Sequence, residues 1–125
     1  MKRILLIDSD QVTSELTKKY LEDFGFEVKL AVNGKQALDQ LNSEGTDLVI
    51  SEINFSGLTG FDILQLMRKC MIKAPMVFFT SSDDAVTELE ALSLGASKLI
   101  SKRKDFINLP HIVSGLFAST QNMVA

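Results

Sequence analysis

Cysteine occurs once in this chain, at Cys70, and histidine once, at His111. A lone thiol cannot close an intrachain disulfide; on a helix, Cys70 is expected to be a small buried hydrophobe, and a reducing, cytoplasmic setting fits best. His111 has no neighbouring serine or cysteine to suggest a triad, so hydrolase chemistry is set aside and an exposed surface histidine is expected. An excess of basic charge is also missing. The net charge is −3, which gives no general attraction to nucleic acid. Lys98, Lys102, Arg103 and Lys104 cluster locally, and apart from Lys102 they read as a solvated loop. Long apolar runs are absent too. Lys2-Arg3 precede an apolar stretch from Ile4 to Ile7, but it stops at Asp8, short of the roughly 7–15 residues of a secretory core segment. Nothing directs the chain to a membrane.

What is present reads as one domain, residues 1–125, large enough to bury roughly two thirds of its unfolded surface. With 46% apolar and 23% charged residues the composition is that of a globular protein, with no linker, repeat or low-complexity segment. Arg3 to Asp8 reads as a buried strand. From Asp10, the expected N-cap, Val12, Leu16, Tyr20 and Phe24 recur every fourth residue as a helix face that Gly25 ends. A second strand covers Phe26 to Val32. Asn33 to Gln36 resembles a reciprocal cap for a helix through Ala37, Leu38 and Leu41 to about Glu44. The third strand runs from Asp47 to Ser51, and Thr59 with Asp62 forms a capping-box pattern ahead of Phe61, Leu64 and Met67. Pro75 opens the fourth strand. Ser81 or Ser82, followed by Asp84, starts a helix bearing Val86, Leu89 and Leu92, which Gly95 stops. Lys98 to Ser101 is the fifth strand, and after a short loop Pro110 sits in the first turn of a last helix whose inner face is Ile112, Val113, Leu116 and Phe117; Ala118 onward is expected to fray.

Five alternations of strand and helix with short connections predict an α/β fold, a parallel sheet with helices on both faces. In such sheets function collects at the carboxyl ends of the strands. The first strand ends in Asp8-Ser9-Asp10. The third ends in Glu52, followed by a loop with Asn54, Gly57 and Gly60, while the fourth ends in Thr80-Ser81-Ser82 and the fifth in Ser101-Lys102. Acids, a hydroxyl and a lysine therefore converge on one edge.

That constellation resembles the receiver domain of two-component response regulators over nearly the whole chain. The Gly-x-x-Gly loop from Gly57 to Gly60 and the Leu94-Gly95-Ala96 turn add to the likeness. The resemblance implies a doubly wound, three-layer, flavodoxin-like sandwich whose five strands lie in the order 2-1-3-4-5. It also implies an acidic pair at Asp8 and Ser9, a phosphate acceptor at Glu52, a switch hydroxyl at Thr80 and a lysine at Lys102. Mg²⁺ would be held by acids of this pocket and by the Asn54 carbonyl. A histidine kinase or an output protein would be the partner.

The departures fall on the site. Ser9 stands where the family usually carries a metal-binding carboxylate; Asp8 and Asn54 remain as matched ligands, and Asp10 is expected to cap its helix rather than compensate. No cofactor is therefore expected, and Mg²⁺ binds weakly or not at all. Glu52 carries its carboxylate about 1.5 Å farther than an aspartate, away from the in-line geometry of phosphoryl transfer. Its bland reading is a solvated loop acid. Its sharper reading is a permanent negative charge near Lys102 and Thr80, one charge where a phosphate supplies nearly two. Leu99 replaces the aromatic of the usual relay, Arg103 the proline after the lysine, and Phe55-Ser56 the usual apolar-Pro pair.

The residues thus predict a non-enzymatic, phosphorylation-independent pseudo-receiver acting by protein–protein contact; a phosphorylatable receiver with a degenerate site is the alternative. A flavin enzyme on the same strand order is disfavoured, because Asp8 and Asp10 would repel its phosphate. The fourth helix carries Val86, Leu89, Ala91, Leu92 and Leu94, more apolar surface than one core-facing side needs. A partner, or a second copy in a homodimer, is expected on the fourth helix, fifth strand and fifth helix.

Overall fold

The computed structural model describes residues 1–43 and 45–124. In chain order the elements are β1 (Arg3–Ile7), α1 (Gln11–Asp23), β2 (Glu27–Ala31), α2 (Gly34–Ser43), β3 (Leu48–Ser51), α3 (Gly60–Lys69), β4 (Met76–Thr80), α4 (Ala85–Ser93), β5 (Lys98–Ser101), α5 (Lys102–Asp105) and α6 (Leu109–Val124). The strands pair in parallel in the order β2-β1-β3-β4-β5, as expected. Glu44, the expected end of the second helix, lies outside the described residues. The single turn α5 stands where a loop was expected, and α6 continues past Ala118 to Val124.

Because side chains alternate across a strand, β1 sends Leu5 and Ile7 to one face and Ile4 and Leu6 to the other. The first set packs with Val49, Met76 and Phe78 against Ala37 and Leu41 of α2, Ile63, Leu64 and Met67 of α3, and Ala91 of α4. The second packs with Ile50, Val77 and Phe79 against Leu21 of α1 and Leu109 and Val113 of α6. Both faces are covered, which is why the strands read as continuous apolar runs.

Helix ends follow the capping chemistry read from the sequence. Asp10 accepts from the Thr13 N–H at 3.2 Å, and Thr59 and Asp62 close a full capping box. Gln36 donates its N–H to Asn33 Oδ1 and accepts the Val32 N–H.

Two expectations fail, the inner face of α1 and the burial of Cys70. In α1 the buried residues are Ser14, Thr17 and Leu21, while Val12 is 79% and Leu16 42% exposed. Ser14 and Thr17 can face the sheet because their hydroxyls donate to the Gln11 and Thr13 carbonyls of their own helix, so nothing polar is left unpaired. Tyr20 and Phe24 lie on the flank, edge-on to Phe106 and His111. In α4 only Ala91 is buried, and Val86, Leu89 and Leu92 are exposed: a methyl-sized side chain lets the helix sit close to the sheet, turning the larger ones outward. Cys70 is exposed rather than buried, since it caps the end of α3 after Met67 has taken the last core position. No described helix is long and apolar enough to cross a membrane.

Candidate functional site

β1 and β3 are neighbours, with Ile7 opposite Ser51, so the next residue of each strand, Asp8 and Glu52, leaves the sheet at the same edge. The Glu52 N–H donates to the Ile7 carbonyl at 2.9 Å and the Asp8 N–H to that of Ala31 at 3.0 Å, which fixes both backbones beyond the regular ladder. Lys102 arrives from the end of β5, two strands away from β3. Its ammonium donates to Asp8 Oδ2 at 2.7 Å and to Glu52 Oε1 at 3.0 Å. The three side chains are only 5% (Asp8), 12% (Glu52) and 13% (Lys102) exposed, so this is a largely buried triad rather than a surface ion pair. Burial disfavours the Lys102 ammonium, but the hydrogen bonds to Asp8 and Glu52 outweigh it and raise its pKa above the ordinary value of 10.5.

The remaining carboxylate oxygens are occupied as well. Asp8 Oδ1 accepts the Asp10 N–H at 2.9 Å. Glu52 Oε2 accepts the Ile53 N–H at 2.5 Å and, at longer range, that of Asn54 at 3.3 Å. The extra methylene of the glutamate is what lets its carboxylate fold back onto its own loop while still meeting Lys102. The Thr80 hydroxyl is fully buried and accepts the Ser82 N–H at 3.1 Å. Asn54 turns its side-chain amide to Ser82 Oγ at 2.9 Å, tying the loop after β3 to the loop after β4.

Asp10 points away, both of its oxygens engaged with Thr13; the Thr13 N–H, then its hydroxyl, lower the Asp10 pKa. Ser9 is exposed at the rim. Leu99 is buried opposite Phe78, where an aliphatic side chain packs in the core and offers no ring hydroxyl. Among the described residues no group of three or more His, Cys, Asp or Glu side chains converges as a metal site. Mg²⁺ needs near-octahedral oxygen ligands, whereas here an ammonium already lies between the two carboxylates and backbone amides take their other oxygens. These residues do not fit a resident Mg²⁺.

One cluster escaped the sequence reading. Asp83 Oδ2 accepts from Ser101 Oγ at 2.6 Å and Oδ1 from Arg103 Nη2 at 2.7 Å. No periodicity marks it. The only signals were a second acid beside the helix cap Asp84 and a hydroxyl and a guanidinium on either side of Lys102.

A family model described as "Response regulator receiver domain" matches residues 4–114. Among curated proteins, the transcriptional regulatory protein CrdR of Helicobacter pylori is 30% identical over 117 residues, covering 93% of this chain and 55% of that protein. The transcriptional regulatory protein PcoR of Escherichia coli is 27% identical over 125 residues, covering 100% of this chain and 55% of PcoR. The chain spans about half the length of these relatives. Among solved structures, the response regulator TrrA of Thermotoga maritima, determined with Mg²⁺ and BeF, superposes with a TM-score of 0.81 at 31% identity, covering 93% of this chain and 99% of that one.

Proposed function

The chain belongs to the response regulator receiver domain family of two-component systems, and from that membership we propose that it signals by protein–protein contact without phosphorylation at position 52. The observation that carries this reading is the Lys102 ammonium held between Asp8 and Glu52 in the absence of any metal-binding carboxylate at Ser9. Glu52 carries its carboxylate beyond the place an aspartate's would occupy, off the line of attack that phosphoryl transfer requires, and both of its oxygens are hydrogen-bonded. In place of a charge that comes and goes, the strand tips carry one that is always there.

A switch that is always set leaves recognition as the remaining task, and a kinase or an output protein of the same pathway is the partner this reading calls for. The face expected to receive it is α4, β5 and α6. Leu99 is buried and Leu94 half-buried against the core, so they do not supply that face; Val86, Leu89 and Leu92, exposed by 78%, 70% and 46%, do. A second copy of the chain would fit the same stripe.

Incubation with a small phosphodonor and Mg²⁺, followed by intact-mass measurement, tests the reading. The unmodified chain should gain no phosphoryl mass, and the Ser9→Asp, Glu52→Asp double variant should gain it more readily than either single variant. A phosphorylated wild-type chain would favour the degenerate but active receiver instead.

A further inference from the structure

Among the helices longer than one turn, α4 has the least hold on the core: Ala91 alone is buried, Thr87 and Leu94 are half-buried, and Val86, Leu89 and Leu92 face solvent. A helix held so lightly along its length is positioned by its ends. Two consecutive acids act at its start, in opposite directions. Asp84 turns inward along the helix, accepting the Thr87 N–H at 2.9 Å and the Thr87 hydroxyl at 2.8 Å. Asp83 turns outward to the end of β5 and the turn that follows it, taking Ser101 Oγ at 2.6 Å and the Arg103 guanidinium at 2.7 Å. Ser101 is itself the N-cap of α5, where its oxygen accepts the Lys104 N–H at 3.2 Å. One hydroxyl therefore closes the turn that carries Lys102 and ties that turn to the start of α4.

The residue between these two partners is Lys102. Its side chain goes to the strand-tip triad while Ser101 and Arg103 hold Asp83, so three consecutive residues bridge two sites. We propose that Asp83 is a latch that couples the placement of α4 to the Asp8–Glu52–Lys102 triad, making the α4 stripe the element that responds when the triad is disturbed. Charge-assisted hydrogen bonds of this length are the strong kind. The Asp83 side chain is 11% exposed and its bond to Ser101 is partly buried, while the Arg103 guanidinium, 64% exposed, closes the latch at the surface. Their strength also appears in its acidity: the Ser101 hydrogen bond first, then that of Arg103, holds the Asp83 carboxyl down at about 2. The second tie on this loop, Asn54 to Ser82, keeps the preceding residue in place and leaves Asp83 as the link toward β5. Asp83 is a positioning residue, and its coupling to the triad stands whether or not position 52 is ever phosphorylated.

Amide hydrogen exchange on the full chain, read peptide by peptide, tests the latch. Asp83→Ala should speed exchange in α4 at least about tenfold while α2 and α3 keep their protection, as local opening requires. Arg103→Ala, a change at a residue 64% exposed and tolerable to the fold, should act in the same direction by a smaller factor. Glu52→Gln should also accelerate α4, and combined with Asp83→Ala it should add less than its own separate effect, since both act through Lys102. If α4 keeps wild-type exchange in Asp83→Ala and Arg103→Ala, or if every helix accelerates together, Asp83 is no latch. Wild-type α4 exchange in Glu52→Gln would break the proposed coupling. Should Asp83→Ala fail to fold, Arg103→Ala and Ser101→Ala give the same reading.

Discussion

Lys102 and Glu52 meet at 3.0 Å although the strands that deliver them do not pair, because β4 lies between β3 and β5. The lysine arm spans that gap with its ammonium 5.8 Å from the centre of the Phe79 ring of β4, a cation resting over an aromatic face. Contact therefore depends on both long side chains: lysine crosses a strand, and glutamate bends back to its own loop.

Lys102→Ala is expected to destabilise the fold by on the order of a few kcal/mol, since it strands two nearly buried carboxylates without a cation. The pH dependence has a definite sign. A raised ammonium pKa means the stabilisation is complete below the unfolded-state value of 10.5 and fades as pH climbs through the higher folded-state value. In urea melts, the gap between wild type and variant should stay level between about pH 8 and 10 and close only above that window. A gap that closes by pH 8 would show that another charge holds the triad.

Two glycines should respond in opposite ways to the same substitution. At Gly60, the first residue of α3, a Cβ would collide with the Glu52 carbonyl oxygen, lie 2.8 Å from a Phe78 ring carbon and 3.0 Å from Ile53 Cα. None of these can yield, so Gly60→Ala should cost about 1–3 kcal/mol and displace the Glu52 loop. Gly115, inside α6, has open space around it. There Gly115→Ala should stabilise by about 0.5–1 kcal/mol through helix propensity. Thermal melts of both variants decide the matter, and equal effects would contradict it.

Met71, just past the end of α3, has φ 62° and is 76% exposed. Its left-handed backbone is held by the Met71 N–H to Arg68 O and Ile72 N–H to Met67 O bonds of the helix terminus. A side chain in this conformation is strained and gains little packing in return. Met71→Gly should raise stability by about 0.5–1 kcal/mol in denaturant melts, and a loss would indicate that the methionine packs better than its exposure implies.

The elements and the edge of the sheet that carries the site were legible because they rest on local signals: apolar runs, caps such as Thr59 with Asp62, and stops such as Gly95. What was not legible were the choices that depend on distance to the sheet. The α1 pattern of Val12, Leu16, Tyr20 and Phe24 is regular, yet Ser14 and Thr17 win the inner face because small hydroxyls bonded to their own helix allow closer packing. Ala91 wins over Val86, Leu89 and Leu92 for a similar reason. At the site, Glu52 and Lys102 were foreseeable as opposite charges on one edge. The bend of Glu52 back to the Ile53 N–H, and the Asp83 tie to Ser101 and Arg103, follow from loop geometry that no spacing encodes.

The central claim, a standing ion pair at the position of a phosphorylation switch, is tested most directly by a double-mutant cycle on Lys102 and Glu52. Wild type, Lys102→Ala, Glu52→Gln and the double variant are unfolded in urea under one set of conditions, and the coupling energy is taken from the four values. A coupling well above the roughly 0–1 kcal/mol of an exposed pair is predicted, with Glu52→Gln alone still folded because the amide keeps the shape and loses only the charge. Additive effects would mean that Lys102 is held by Asp8 alone, and the standing-charge account of this domain would be wrong.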